Sequence, residues 1–287
     1  MSYDDDIYRS YTAKELYDLP TVYRSDLFKD QVVLVTGGAG GIGKACSVLF
    51  GKLGATVVTC GRSQEKLDLW EQEMASVGIS CSSHAMTIRD PDQVAVLFDE
   101  IWQQYGRLDH LINNAGGQFP KAALDLSPKG WKAVVETNLD GTWYMMQAAA
   151  KQWVEHEKPG NIVNMATLTG CAFVGLPHTA AARAGAINLA KTLSVEWAPY
   201  KIRINSLAIG HIASPGLLHY PPEAKPSFDH NSMRRMGKPL DIAEGAVYLS
   251  ANSGNFVTGT ILTVDGGEDV WGEYWASGKP DYFKVDE

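Results

Sequence analysis

With 287 residues, the chain can form one large domain or two small ones, and its 45% apolar content is enough for a sizeable buried core. A formal net charge of −8 argues against nucleic acid as a partner, because such binding draws on a basic face; a local basic site for a small anion is still compatible with it. Cys46, Cys60, Cys81 and Cys171 form no C-x-x-C pair, which speaks against a zinc centre or a disulfide scaffold and fits a reducing cytoplasm, with no metal expected.

Residues 1–29 open acidic, Met1 to Asp6, without the apolar run of a signal peptide. They continue with Tyr8, Tyr11, Tyr17 and Tyr23 and read as an extension that packs on the domain or a neighbouring subunit, or as a partly ordered arm. No apolar run is long enough to span a bilayer, so a soluble, cytoplasmic protein without a membrane partner is expected.

Val32 to Val35 reads as a buried strand, and Lys44 to Phe50 has helical spacing. Between them lies Thr36-Gly37-Gly38-Ala39-Gly40-Gly41-Ile42-Gly43. Glycines permit a tight turn and close backbone approach, and the helix start beyond them presents free N–H groups to a phosphate. This context points to a dinucleotide.

Ala55 to Cys60 reads as the second strand, followed by Gly61-Arg62-Ser63. In a nucleotide-binding βαβ unit, this strand end meets the adenosine ribose, where an acidic residue would bind the 2′-hydroxyl of NAD. None stands there. The Arg62 guanidinium can instead pair with a 2′-phosphate, helped by the Ser63 hydroxyl, which favours NADPH over NADH.

A helix is predicted over Glu65–Val77, a strand over Ile79–Ile88 and a helix over Asp92–Tyr105. Leu108 to Ile112 then leads into Asn113-Asn114-Ala115-Gly116-Gly117, a strand end whose amides and glycines suit a cofactor ribose. One long helix is predicted over 130–158, with Asn138 inside it. An interior Asn needs a partner for its side chain. Next come a strand over Asn161–Thr167, a helix over Thr179–Trp197 and a strand over Ile202–Ala208. A helix over Asp241–Ser250 and a strand beginning at Ile261 complete the pattern. It implies a doubly wound parallel α/β sheet of Rossmann type, in one domain over 30–267 with helices on both faces. Residues 214–236 contain Pro215, Pro221, Pro222 and Pro226 without sustained period and read as a substrate loop. The tail 268–287 carries Trp271, Tyr274, Trp275, Tyr282 and Phe283, a composition that packs against something.

The spacing T-G-x-x-x-G-x-G of Thr36, Gly37, Gly41 and Gly43, followed by the N-N-A-G of Asn113 to Gly116, resembles the short-chain dehydrogenase/reductase family. The resemblance implies cofactor contacts at Thr36, Gly37, Gly41, Ile42, Gly43, Arg62, Ser63, Asn114, Ala115 and Gly116. Ile209-Gly210-His211-Ile212-Ala213-Ser214 is similar to the family's P-G-x-x-x-T segment, with Ile in place of Pro, and implies that Gly210, Ile212 and Ser214 hold the nicotinamide. Asn138 matches an Asn that holds a water chain leading to the active site. Thr87 stands where the family commonly has an aspartate, and Gly40 where NADP-preferring relatives often have a basic residue. Relatives commonly form tetramers through the helices over 130–158 and 179–197.

The family's usual catalytic Ser, Tyr and Lys fall on Thr167, Thr179 and Arg183 in this chain. Threonine is a poor general acid, and arginine does not relay protons by titrating. Hydroxyl donors in a fixed positive field instead suit stabilisation of an anion. That chemistry fits hydride addition to an α,β-unsaturated thioester, whose first step develops an enolate oxygen. Gln118-Phe119, the segment His178 to Gly185, and Val195-Glu196-Trp197 together resemble the trans-2-enoyl-CoA and 2,4-dienoyl-CoA reductase branch. The resemblance implies an acyl-CoA-type substrate, possibly cyclic, met by Gln118 and Phe119, with a single double bond favoured over a diene. Thr167, Thr179, Arg183, Asn138 and His178 are the candidate catalytic residues; Arg183 is also a candidate cofactor ligand and His178 a candidate proton source. Two rival readings stay open: a carbonyl reductase or alcohol dehydrogenase using His178 or His211 as donor, and a catalytically silent nucleotide-binding member.

Overall fold

The computed structural model describes residues 8–168, 170, 172–220 and 231–270. Cys171, Pro221, Pro222, Pro226 and the aromatic tail from Trp271 lie outside the described residues.

Seven parallel strands form one sheet: β1 (Val32–Thr36), β2 (Thr56–Gly61), β3 (Cys81–Ala85), β4 (His110–Asn113), β5 (Gly160–Thr167), β6 (Ile202–Ile209) and β7 (Ile261–Val264). Their order is β3-β2-β1-β4-β5-β6-β7. The chain runs outward from β1 to β3, returns to β4 and proceeds to the other edge. Its direction therefore reverses between β1 and β4, where a crevice opens beyond the carboxyl ends of the strands.

Strand β1 carries side chains to both faces with the period of two that a strand imposes. Val33 and Val35 join one core with Phe28, Phe50 and Val247. Val32 and Leu34 join the other with Phe98, Met146 and Trp153. Burying each such aliphatic side chain contributes about 1.5–3 kcal/mol. The first core lies under α2 (Gly41–Lys52) and α8 (Pro239–Ser250), which pack together. The second lies under α4 (Pro91–Tyr105), α6 (Thr142–Glu155) and α7 (Pro177–Glu196).

Of the alternatives for the extension, packing on the domain is the one found from Tyr8 onward: α1 (Ala13–Asp18) packs on α2 and on α3 (Gln64–Ser76). A Thr12–Glu15 capping box starts α1, and Ala13 and Leu16 are buried. Glu73 on α3 accepts hydrogen bonds from Ala13 N at 3.2 Å and from Lys44 Nζ at 2.7 Å, tying three helices together.

The strand expected over Ile79–Ile88 shortens to Cys81–Ala85, the stretch that pairs with Val57–Gly61 of β2, its neighbour among the described residues. Ile79 and Ile88 are buried all the same, as packing residues off the strand.

The helix expected over 130–158 is three segments. α5 (Pro128–Val135) runs into a π-helical turn, Glu136–Gly141, and then into α6. The wider turn carries Asn138, whose side chain bonds outside the helix. Beyond Glu155 the chain leaves the helix through Glu157, at φ 51°.

One buried titratable group couples this core to pH. His110, at the start of β4, is 7% exposed. Its Nε2 meets Gln31 Oε1 at 2.7 Å and its Nδ1 meets Asn161 Nδ2 at 3.3 Å. Burial pulls its pKa down from 6.5 to about 4. As pH falls, the unfolded chain binds this proton first. The contribution is present above pH 6.5 and is lost on acidification toward about pH 4, at a cost of up to about 3 kcal/mol. Urea unfolding should show that His110→Gln flattens the dependence of stability on pH between about 6.5 and 4; the same slope in both proteins would assign the loss to other groups.

Candidate functional site

The crevice is built by two loops that hold each other. Thr36, the last residue of β1, accepts at Oγ1 from the backbone N of Asn114 (3.0 Å) and of Ala115 (2.8 Å), and donates to the Ile112 carbonyl (3.5 Å). In return, Asn114 Nδ2 donates to the carbonyls of Thr36 (2.9 Å) and Gly37 (3.3 Å). The T-G and N-N-A-G motifs are thus two halves of one hydrogen-bonded unit.

That unit leaves room for glycine only. A Cβ on Gly43 would stand 2.3 Å from the Gly37 carbonyl oxygen and 2.5 Å from Asn114 Nδ2. Gly37 and Gly41 adopt φ +66° and +51°. The loop is braced from below by Thr59, whose hydroxyl accepts from Gly38 N (2.8 Å) and donates to Val35 O (2.8 Å). Thr59 was not singled out from sequence, although a hydroxyl inside an otherwise apolar strand is the signal that finds it. Helix α2 begins at Gly41, and its N-cap, Gly40, offers no side chain to the first-turn amides. Those amides suit a pyrophosphate.

A cleft of about 930 Å³ runs along this unit. Gly37, Gly41, Ile42, Arg62, Asn114, Ala115, Gly116, Gln118, Phe119 and Ser214 line it. At one end Arg62 is exposed and makes no hydrogen bond or ion pair among the described residues. Lys66, Thr87 and Arg89 join it on the wall, and none of the three was assigned a cofactor role from sequence. Ser63 caps α3, accepting from Lys66 N at 3.4 Å. Cleft volume, glycine cradle and free cation together fit a dinucleotide.

The opposite end gathers the residues expected to be catalytic. Asn138 is fully buried and grips Gly117, accepting from its N and donating to its O, each at 3.0 Å. Its Nδ2 also meets Thr179 Oγ1 at 3.1 Å. Thr179 is itself fully buried and does not line the cleft. The hydroxyl expected to donate to substrate thus faces Asn138 and is enclosed by protein groups. Thr167, at the end of β5, is partly exposed and its hydroxyl has no partner among the described residues.

Arg183 is partly buried on α7; Nη1 donates to the Met165 carbonyl, and Nη2 would lie 2.1 Å from a Cβ on Gly116. Burial lowers its pKa to about 10, so it remains a cation at neutral pH. His178 is fully buried beneath Phe119, edge to face at 4.7 Å, and its Nδ1 accepts from Thr179 N at 2.8 Å. Burial lowers its pKa, which leaves a neutral ring unsuited to deliver protons at neutral pH.

Loops after β6 and β7 close the same end. Gly210 N donates to Val264 O (3.2 Å), and His211 is held by Glu268 through its backbone N (3.1 Å) and its ring Nδ1 (2.7 Å). Ile212 pairs with Gly237 in an isolated parallel bridge. These contacts fix the segment whose family proline is Ile209 here. Asp269 accepts from Gly170 N at 2.7 Å, which ties down the loop after β5. Gln118 Nε2 donates to the phenol oxygen of Tyr220 at 2.6 Å, a pairing across 102 residues that no local pattern announces. Among the described residues there is no cluster of three or more His, Cys, Asp or Glu able to hold a metal.

Residues 37–268 match a family model described as Enoyl-(Acyl carrier protein) reductase. A probable 2,4-dienoyl-CoA reductase of Bacillus subtilis (strain 168) is 36% identical over 244 residues, covering 83% of this chain and 96% of that protein. A 3-oxoacyl-(acyl-carrier-protein) reductase FabG of Thermotoga maritima is 32% identical over 239 residues, covering 83% and 97%. A solved structure of a short chain dehydrogenase from Bacillus anthracis superposes with a TM-score of 0.75 at 38% identity, covering 84% of this chain and 97% of that one.

The Asn138 bonds carry a direct prediction. Asn138→Ala strands the Gly117 amide and carbonyl and the Thr179 hydroxyl, and should lower unfolding free energy by about 2–3 kcal/mol in urea titrations. A change below about 0.5 kcal/mol would show that the side chain does not brace the loop.

Proposed function

The chain belongs to the short-chain dehydrogenase/reductase family, and on that premise we propose that it is an oxidoreductase reducing the 2,3 double bond of an enoyl thioester of the acyl-CoA type, with NADPH as reductant. The observation that carries this reading is a cation, Arg183, where the family usually has a lysine, held against β5 near the Thr167 hydroxyl at that strand's end, with no phenol at the family's position. Arg183 stands against Gly116, and Asn138 holds both Gly117 and Thr179. A set of this kind stabilises negative charge developing on a thioester oxygen.

Residues are available for each part of the cofactor. The Gly37–Gly43 turn and the start of α2 would hold the pyrophosphate, with Arg62 and Ser63 at the 2′-phosphate. Asn114, Ala115, Gly116 and Arg183 would meet the nicotinamide ribose, and Gly210, Ile212 and Ser214 the carboxamide. When bound, the reduced nicotinamide supplies a hydride to the β-carbon. Thr167 serves as the oxyanion donor, Thr179 and Asn138 keep the Gly117 peptide in place, and Gln118 and Phe119 bound the acyl group. The names of the relatives favour a second reading within the same chemistry, a conjugated dienoyl thioester. We further propose a cytoplasmic enzyme assembled as a homotetramer through α5, α6 and α7. Val154 and Val195 are exposed on the last two, at 41% and 76%.

NADPH oxidation should be measured against short, long and cyclic 2-enoyl-CoA esters beside matched ketones and 3-ketoacyl-CoA esters. Turnover confined to the enoyl esters is expected; turnover of the ketones alone would overturn the reading. Arg62→Leu should weaken NADPH about 10- to 100-fold while leaving NADH within about threefold, because a charge-assisted contact is lost from one cofactor only. An equal loss for both would remove the 2′-phosphate assignment.

A further inference from the structure

Reduction of a carbon–carbon double bond requires a proton as well as a hydride, and the residues at the family's catalytic positions do not provide a good acid. Thr167 and Thr179 are hydroxyls far from the useful pKa range. His178 is a buried neutral ring. His211 lines a separate, smaller cavity and is engaged by Glu268.

A phenol arrives from elsewhere in the fold. Tyr220 follows the 3₁₀ turn Pro215–His219 and is the only tyrosine between Tyr200 and Tyr248. Ser214, Pro215 and Gly216 at the start of this segment line the large cleft. From the opposite wall, Gln118 donates to the Tyr220 oxygen at 2.6 Å. Gln118 directly follows Gly117, the residue that Asn138 grips while it also holds Thr179. The phenol is therefore fastened to the same short stretch of backbone as the family's catalytic positions, but by a residue on the far side of the crevice.

We propose that Tyr220 is the proton donor of this chain's reduction, reaching the site from the loop after β6 and not from α7. Its accepting atom rests on the enoyl-thioester reading. Hydride from the reduced nicotinamide dinucleotide bonds to the β-carbon, and the π-electron pair moves onto the α-carbon and thioester oxygen. The O–H bond of Tyr220 then breaks as a C–H bond forms at the α-carbon, and solvent returns a proton to the phenolate. The products are the saturated thioester and the oxidised dinucleotide. Burial raises the phenol's pKa, which keeps it protonated at neutral pH, and the Gln118 hydrogen bond acts in the other direction by favouring the phenolate.

Tyr220→Phe in the full chain tests this. NADPH affinity, read by fluorescence titration, should stay within about twofold, which also reports that the cleft is intact. With a 2-enoyl-CoA ester, kcat should fall about 100-fold or more while KM moves less than about threefold. In D₂O the wild type should place deuterium on one face of the α-carbon, and the variant on both, since water would then protonate the enolate. Gln118→Leu, which keeps the phenol but frees it from the wall, should lower kcat about 10-fold. A Tyr220→Phe enzyme with kcat within twofold of wild type and a single α-configuration would overturn the assignment. If the wild type reduces ketones and no enoyl ester, the enoyl reading fails on its own. The same variant-to-wild-type ratio, measured on the ketone, then judges Tyr220 as donor to the alkoxide: a 100-fold fall supports it and an unchanged rate overturns it.

Discussion

The structure depends on one reciprocal set of hydrogen bonds at the ends of β1 and β4. The Thr36 hydroxyl satisfies two backbone amides of the second loop, and the Asn114 side chain satisfies two carbonyls of the first. These groups lie where the sheet reverses direction, so every one of them would otherwise face a crevice. A buried backbone group without a partner costs about 1–3 kcal/mol, which is why the two loops are bonded into one unit. The arrangement brings Gly43 so near the Gly37 carbonyl that no side chain fits there. The width of the cleft follows from that contact.

The same device recurs around the rest of the site. Four loops at the carboxyl end of the sheet have backbone held by a side chain from another element. Thr59 serves the glycine turn, Asn138 the stretch after β4, Asp269 the stretch after β5 and Glu268 the stretch after β6. Glu268 and Asp269 are adjacent in sequence, so one short segment after β7 braces two walls of the cleft. Such bracing holds polar backbone in a fixed orientation, which electrostatic catalysis requires, since reorienting dipoles during the reaction would raise the barrier.

Electrostatically, the two ends of the cleft differ. Arg62 and Lys66 offer exposed cations where solvent competes, while Arg183 is drawn inward against Met165 and Gly116. A charge held away from water acts on its surroundings more strongly than an exposed one. Arg183 thus gives this end an environment that tolerates an anion, and the acid proposed for it, Tyr220, lies in a different part of the chain. In this picture the departure from the family's catalytic motif and the Gln118–Tyr220 contact are two sides of one rearrangement.

Local chemistry was legible in the residues. Period-two and period-3.6 patterns placed the strands and most helices within a few positions, because the alternation of apolar side chains is a property of neighbours along the chain. The glycine turn, the N-N-A-G strand end and the position of Arg62 after β2 were legible for the same reason: each is a pattern within its own few residues. What tertiary structure alone decided are contacts between distant segments. The π turn at Asn138 answers the pull of Gly117, the shortened β3 keeps to the stretch that pairs with β2, and the extension folds because Glu73 and Lys52 hold it. Burial of Thr179 and His178, and the reach of Tyr220 across 102 residues to Gln118, are likewise decided by which surfaces meet. No periodicity encodes that, because such partners are neighbours only after the sheet has assembled.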